Sequence, residues 1–322
     1  MELPIGLRIA IENEITGIRH EQLKQDAQML SKRYRNESKE GRRLITSSNE
    51  AAAYSVVRMP ATYGAVYTAL RYTLNLINCK IESLMDVGAG TGTASWAADS
   101  LIPLKRILCL ERERAMVQVG QRMMREGSPV LRNAEWVNYD LAMDEIPEKA
   151  DLVIASYVLN ELTEKERIKA LDKLWQSADK ILLIVEPGTS EAYFQLKRMR
   201  EYMLTKGAHI ISPCPHENGC GIPENDWCHF SCRIPRSKLH RLLKEGELPY
   251  EDEKFTYLAI APQQYSKPEG RILRHPIIEK GRVTLDICCP DGIRKVNITK
   301  KDGELYKKAR KANWGDEFGL TI

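Results

Sequence analysis

Between Ile81 and Glu186 the chain alternates five short, almost wholly apolar runs with stretches of helical character. The runs are SLMDV, RILCLE, AEWVNY, DLVIAS and ILLIVE, ending at Val87, Glu111, Tyr139, Ser156 and Glu186. Strands that are apolar on both faces need cover on both sides, so the pattern predicts a parallel sheet between helical layers. One intervening helix is marked at its start: Thr163 and Glu166 form a capping-box pair, and Ile168, Leu171, Leu174 and Trp175 then fall on one side. The class that accommodates this is a doubly wound α/β domain.

The flanks read differently. Residues 1–80 have helical patterning: Ser47 with Glu50 predicts a capped helix stopped by Pro60, and a second helix from near Thr62 carries Tyr63, Val66, Tyr67, Leu70 and Leu74 on one face. They are expected to form a lid or adaptor. From His209 to Arg236 the chain is rich in Cys, Pro, Gly, His and Asn and shows neither a helical nor a strand period. Beyond it, KFTYLAIAP reads as a strand, and RVTLDICC and IRKVNITK as a pair flanking the turn at Pro290, Asp291 and Gly292. The expected organisation is a helical region over 1–80, an α/β domain over 81–208, a Cys-rich segment over 209–254, and closing strands with a small C-terminal β module over 255–322.

With 43% hydrophobic and 29% charged residues in 322, the composition excludes disordered and fibrous chains. No apolar run approaches the roughly 18 residues of a membrane span, and the first residues lack the layout of a signal peptide. A soluble, cytoplasmic protein with no membrane partner is therefore expected; its oligomeric state is open. The net charge of +4 conceals three basic stretches. Arg19–Arg43 has eight Lys or Arg against four acids, Arg233–Lys244 five against none, and Ile293–Lys311 eight against two. Such stretches suit a polyanion such as rRNA, or are simply solvated faces.

The first apolar run leads into DVGAGTGTASWAA. Gly88, Gly90 and Gly92 allow a sharp turn and close approach of a ligand, and the following helix N-terminus favours negative charge. Glu111, ending the second run, is positioned to accept hydrogen bonds from ribose hydroxyls. Thr93 stands where a dinucleotide fingerprint requires its third glycine. The arrangement instead resembles motif I of Rossmann-like, class I S-adenosylmethionine-dependent methyltransferases. That resemblance implies a cofactor site formed by Asp86, Gly88, Ala89, Gly90, Glu111, Asp140, Leu141 and Ser156, with Asp140 and Leu141 at the adenine. A nicotinamide site and a purely structural turn are the competing readings. Asn160 and Glu161 follow the fourth run, where helix capping explains them most simply. No catalytic residue is assigned.

Cys214, Cys220 and Cys228 lie six and eight residues apart in a Pro/Gly-rich loop, and Cys288 and Cys289 follow a distant strand. Thiolates gathered closely repel unless a cation neutralises them, so the loop is expected to hold metal, with iron–sulfur and zinc both open. His216 and His229 are further possible zinc ligands, Cys232 is spare, and Cys79 and Cys109 read as core residues.

Across residues 34–316 the chain also resembles one family, the methyltransferase-like small-ribosomal-subunit assembly proteins of mitochondria and bacteria. The blocks that carry this are AAAYSVVRMPATYGAV, DVGAGTGTASWAA, VLNEL, CPHENGC, DWCHFSCRIPR, YEDEKFTYLAI and ANWGD. The resemblance implies a 4Fe-4S cluster on Cys214, Cys220, Cys228 and a downstream cysteine, Cys288 by its spacing to the turn glycine. It also implies binding to the small subunit or its rRNA. Gly221 departs from the family form, where proline follows the cysteine. The leading expectation is thus an S-adenosylmethionine-binding methyltransferase-like protein acting on the small ribosomal subunit or its rRNA, with the cluster presenting the basic segment after Cys232. A non-enzymatic assembly factor on the same fold is the alternative, and a zinc methyltransferase of small molecules or proteins the second.

Overall fold

The computed structural model describes residues 1–36, 45–244 and 246–320. Backbone contacts divide the chain into two compact units. One comprises Met1–Leu70, Lys80–Val185 and Cys232–Glu253, the other Arg71–Cys79, Glu186–Ser231 and Lys254–Ile322.

Four helices come first: α1 (Ile5–Ile15), α2 (His20–Asn36), α3 (Ser48–Val57) and α4 (Met59–Leu74). The α3 sequence is short-chained, and Ala51, Ala52, Ala53, Val56 and Val57 are all buried. Its start differs in detail from a full capping box. Ser47 accepts the Glu50 N–H at 3.2 Å, but the Glu50 carboxylate turns to the N–H of Thr46 at 2.8 Å and to Arg33 at 2.8 Å. Pro60 sits in the first turn of α4, where its missing N–H costs nothing.

The sheet of this unit contains β1 (Ser83–Val87), β2 (Arg106–Glu111), β3 (Glu135–Asn138), β4 (Ala150–Ser156) and β5 (Ala178–Pro187). Their order is β3-β2-β1-β4-β5, with neighbouring strands parallel. The intervening helices are α5 (Thr93–Asp99), α6 (Arg114–Met124), α7 (Pro129–Arg132) and α8 (Glu164–Ser177). Leu152–Ala155 and Ile181–Val185 are fully buried, as strands covered on both faces must be. The chain builds outward from β1 to β3 and then returns to place β4 on the other side of β1. At that reversal the loops leaving β1 and β4 diverge and open a crevice at the strands' carboxyl ends. This is a doubly wound, Rossmann-like α/β fold with N- and C-terminal extensions.

In the second unit α9 (Ser190–Thr205) leads to β6 (His209–Ser212), and β6 lies antiparallel to β8 (Tyr250–Ala261), Ile210 opposite Ile260. β7 (Phe230–Pro235) and α10 (Lys238–Lys244) precede β8 in sequence, and α10 and most of β7 belong to the first unit. The segment 209–236 therefore contains two strands where sequence periodicity shows none. β7 has the period in weak form: Phe230, Cys232 and Ile234 are buried and alternate with Ser231, Arg233 and Pro235. Cysteine on the apolar face disguises the alternation.

The C-terminal module is a four-stranded sheet, β10 (Ile277–Glu279), β11 (Arg282–Cys289) and β12 (Gly292–Thr299) in order, with β9 (Arg271–Ile272) also pairing β11. Val283, Leu285, Ile287 and Cys289 project from one face of β11 into a core with Ile272, Ile298 and Phe318. The last helix, α11 (Gly303–Ala309), closes it with Tyr306 and Ala309.

The α8 capping box is complete, the Thr163 side chain receiving the Glu166 N–H and Glu166 reaching back to the Thr163 N–H at 3.0 Å. Thr163→Ala should cost about 1 kcal/mol of stability, read as a lower urea midpoint at unchanged slope.

Candidate functional site

Three strand ends of the first unit meet at the crevice. After β1 the backbone turns through Gly88, Gly90 and Gly92, all with left-handed φ (67°, 59° and 82°). A side chain at Gly88 would strike Val158 at 2.7 Å, so the loop lies directly against the turn that follows β4. Two carboxylates fix the loop. Asp86 is fully buried, and its Oδ2 accepts the Ser95 N–H at 2.9 Å and the Ser95 hydroxyl at 2.8 Å, tying the end of β1 to the first turn of α5. Glu111, at the end of β2, accepts the Gly90 N–H at 2.7 Å on one oxygen and the Glu113 N–H at 2.7 Å on the other.

Both acids are pushed up by burial. Asp86 rises to about 6, with the Ser95 hydrogen bonds opposing and the charge of Glu111 adding to the rise. Glu111 is held back in part by the N–H groups of Glu113 and Gly90 and by Arg112. A carboxylate has about four lone-pair positions, so Glu111 keeps some acceptor capacity after its backbone bonds from Gly90, Arg112 and Glu113. The loop N–H groups have less to spare. Those of Gly88 and Ala89 both go to the Leu110 carbonyl, at 2.9 and 3.1 Å, and that of Gly92 to Ala89 at 2.7 Å.

Asp140 and Leu141 follow β3. Leu141 is buried, and Asp140 Oδ1 accepts the Ala142 N–H at 3.0 Å while Arg112 stands 3.8 Å from its other oxygen. Ser156 ends β4 opposite Val185. The next residue, Tyr157, is the one non-glycine with positive φ (58°) among the described residues. For a bulky side chain that conformation is strained, and it is held from outside. The Tyr157 hydroxyl donates to Glu253 at 2.9 Å, and Arg58 lies 5.9 Å over its ring and 3.5 Å from the same carboxylate. Arg58, Tyr157 and Glu253 come from three separate parts of the sequence and carry no local motif.

Asn160 and Glu161 occupy a 3₁₀ turn, Leu159–Glu161, ahead of α8. They do not cap that helix, since Thr163 does. Asn160 Oδ1 is buried with no hydrogen-bond partner among the described residues. The Glu161 carboxyl is pushed up to about 7, chiefly by burial, with Arg112 opposing and Glu111 and Glu113 adding to the rise. The crevice thus gathers the glycine loop, Glu111 and this turn.

The cysteines are a second-unit feature. Cys214, Cys220, Cys228 and Cys288 line one cavity of about 50 Å³ with Tyr193 and Ile222. Neighbouring strand residues face opposite ways, so Cys289 instead enters the core of the C-terminal module. The metal centre expected from the cysteine spacing is nevertheless overturned. Among the described residues no group of three or more His, Cys, Asp or Glu side chains is disposed to hold a metal ion. The 4Fe-4S cluster, the zinc alternative, the ligand roles of the four cysteines and the metal-binding character of the insertion all fall with it.

The physical reason is that the loop has other means of becoming ordered. Tyr193, Ile222 and Leu273 form a small apolar cluster against which Trp227, Cys220, Cys228 and Cys288 pack. Trp227 Nε1 donates to the Gly188 carbonyl at 2.9 Å, and Arg274 grips Asp226 at 2.6 Å. Two buried guanidiniums serve loop carbonyls: Arg200 those of His216 and Asn218, Arg271 that of Pro213. Burial drives the thiols of Cys214, Cys228 and Cys288 upward, Cys288 to about 12, so they are neutral and do not repel. Cys109 is buried as expected, and Cys232 is a core residue of β7.

Asp86 gives a pH signature. Its carboxyl lies at about 6 in the folded chain against an ordinary 3.8, so the folded state prefers the protonated form. The stability this contributes is full below about pH 4, lost as pH rises through about 6, and on the order of 3 kcal/mol. Asp86→Asn should flatten the fall in urea midpoint across that window, and parallel pH profiles for the two proteins would contradict the assignment.

Two solved methyltransferases illustrate how far structural likeness reaches. Magnesium protoporphyrin IX methyltransferase of Synechocystis shares 13% identity at a TM-score of 0.42, covering 74% of this chain and 97% of that one. The N-methyltransferase NodS of Bradyrhizobium japonicum shares 11% at 0.43, covering 74% and 99%. The fold is defined by its strand order, β3-β2-β1-β4-β5. Sequence relatives are more informative. The human protein named "Ribosome assembly protein METTL17, mitochondrial" is 27% identical over 258 residues, 73% of this chain and 55% of that protein. "Rsm22-cox11 tandem protein 2, mitochondrial" of Schizosaccharomyces pombe is 25% identical, over 84% of this chain and 43% of that protein. The chain spans about half the length of these curated relatives. Both are named as mitochondrial, which overturns the expectation of a cytoplasmic protein. Residues 48–319 match the family model described as "Mitochondrial small ribosomal subunit Rsm22", and the chain belongs to that family.

Proposed function

We propose that this chain acts in assembly of the small ribosomal subunit, mitochondrial in its named relatives, as a binding protein that uses a methyltransferase fold to hold S-adenosylmethionine. The observation that carries the reading is the family match over residues 48–319. It is supported by the relative named as a ribosome assembly protein. The subunit's rRNA is the partner this reading implies.

The crevice residues suit the cofactor. Glu111 retains lone pairs for ribose hydroxyls, and Asp140 with Leu141 would face the adenine. The Gly88, Ala89, Gly90 turn would lie against the ligand as a surface free of side-chain bulk, its N–H groups being engaged by Leu110 and Glu111 at the end of β2. Asn160 Oδ1, an acceptor in the neighbouring turn with no partner among the described residues, suits the cofactor's ammonium group. Asp86 and Ser156 support the loop and the end of β4 from behind.

Methyl transfer is the second reading, and Glu161 favours it. A carboxyl near 7 is matched to accepting a proton at neutral pH. Bound cofactor would supply the methyl group; this chain would orient the acceptor and hold the proton at the Glu161 carboxylate.

Calorimetric titration with S-adenosylhomocysteine should show binding that Glu111→Ala weakens by about 10- to 100-fold, the loss of one or two hydrogen bonds to a charged group. Absence of binding by the unaltered protein would sink the cofactor assignment. Cells lacking the protein should accumulate immature small subunits, and Glu161→Gln should restore maturation. Transfer of labelled methyl groups to immature subunits, abolished by Glu161→Gln, would replace the binding role with an enzymatic one.

A further inference from the structure

The three basic stretches differ once their partners are known. Residues 37–43 of the first lie outside the described residues. The second is largely neutralised within its own unit. Glu251 takes Arg236 at 2.9 Å and Lys244 at 2.8 Å, and Asp252 takes Arg233 at 2.7 Å. The expected presentation of this segment to rRNA phosphate is therefore not what its geometry offers.

The third stretch is open. Arg294 pairs with Asp291, Lys295 with Asp286, and Lys307 with Glu304 at 2.5 Å. Asp302 is committed to the N–H and hydroxyl of Thr299. Lys300, Lys301, Lys308, Arg310 and Lys311 are exposed and have no carboxylate partner among the described residues. They sit on a rigid base, because Tyr306 and Ala309 anchor α11 in the core of the C-terminal module. With one face buried, the short helix can only turn Lys307 and Lys308 outward, and Lys311 is exposed in the turn that follows it.

We propose that Lys300–Lys311 is a docking surface for the phosphate backbone of RNA, one that contacts phosphates without reading sequence. The proposal rests on the ribosomal reading above and gives it a surface. The composition of the exposed face selects the partner. It has no exposed apolar residue, whereas a helix that lies in a membrane needs an apolar face. Protein interfaces are depleted in Lys and depend on buried aromatic or Arg anchors. A polyanion rewards clustered Lys directly, through release of the counterions condensed on its phosphates.

The test is fluorescence anisotropy of the full chain with fragments of small-subunit rRNA over a range of salt concentrations. A triple variant, Lys301→Ala with Lys308→Ala and Lys311→Ala, should bind at least about tenfold more weakly at low salt. Its plot of log K against log salt should be shallower by about 2 to 3. All three side chains are exposed, and the one ring contact removed is that of Lys308 Nζ, 5.2 Å over Phe318, so the melting temperature should fall by a few degrees at most. Arg233→Ala should leave the slope within about 1 of the unaltered protein. An unchanged slope in the triple variant, with the unaltered protein binding RNA, overturns this surface and spares the ribosomal reading. No RNA binding by the unaltered protein overturns both. Tighter binding of phosphatidylserine vesicles than of RNA overturns the choice of partner.

Discussion

Two buried carboxylates hold the turn between β1 and α5, and the rest of the crevice is arranged around them. Asp86 joins β1 to α5 through Ser95, and Glu111 joins the end of β2 to the turn through the Gly90 N–H. An ionised carboxylate is costly in a dry interior unless N–H or O–H groups are directed at it. Here the backbone supplies them, and in return the loop adopts one conformation, pressed against Val158. Burial keeps both acids above their ordinary range, and the charge of Glu111 adds to the rise at Asp86.

The same competition between burial and charge decides the cysteine segment differently. Cys214, Cys220, Cys228 and Cys288 line one cavity, yet the residues around them do not form a metal-holding group. Reasoning from spacing treats thiols as ligands because a loop rich in Pro, Gly and Cys has no visible means of folding. In three dimensions that means exists. Tyr193 and Leu273, respectively before and well after the loop, supply apolar cover, and Arg200 and Arg271 satisfy carbonyls that the irregular backbone leaves unpaired. The thiols of Cys214, Cys228 and Cys288, kept neutral by burial, then pack as small apolar groups.

Charge follows a related rule. Lys and Arg near one another in sequence say little about a surface until their carboxylate partners are located. Glu251 and Asp252 on β8 cancel most of the segment that follows Cys232, whereas among the described residues no comparable acids reach Lys300, Lys301 or Lys308. Two stretches of similar composition therefore present different surfaces.

Periodicity and local chemistry were enough to read the parallel sheet, the glycine turn with Glu111, and the capped start of α8. Each depends on neighbours within about one element, and alternation, glycine placement and capping are local properties of a chain. The strands β6 and β7 were not legible, because four residues carry no period and cysteine obscured the other. The turn after β4 was legible as a polar run, but the role of its residues was not. Capping fell to Thr163, leaving Asn160 Oδ1 without a partner and Glu161 near 7, while Arg58 and Glu253 came from far along the chain to hold the strained Tyr157. Partners distant in sequence set burial and charge, and burial and charge decide whether a thiol is a ligand, an acid is ionised or a cation is free. Those outcomes exist only once the chain has folded.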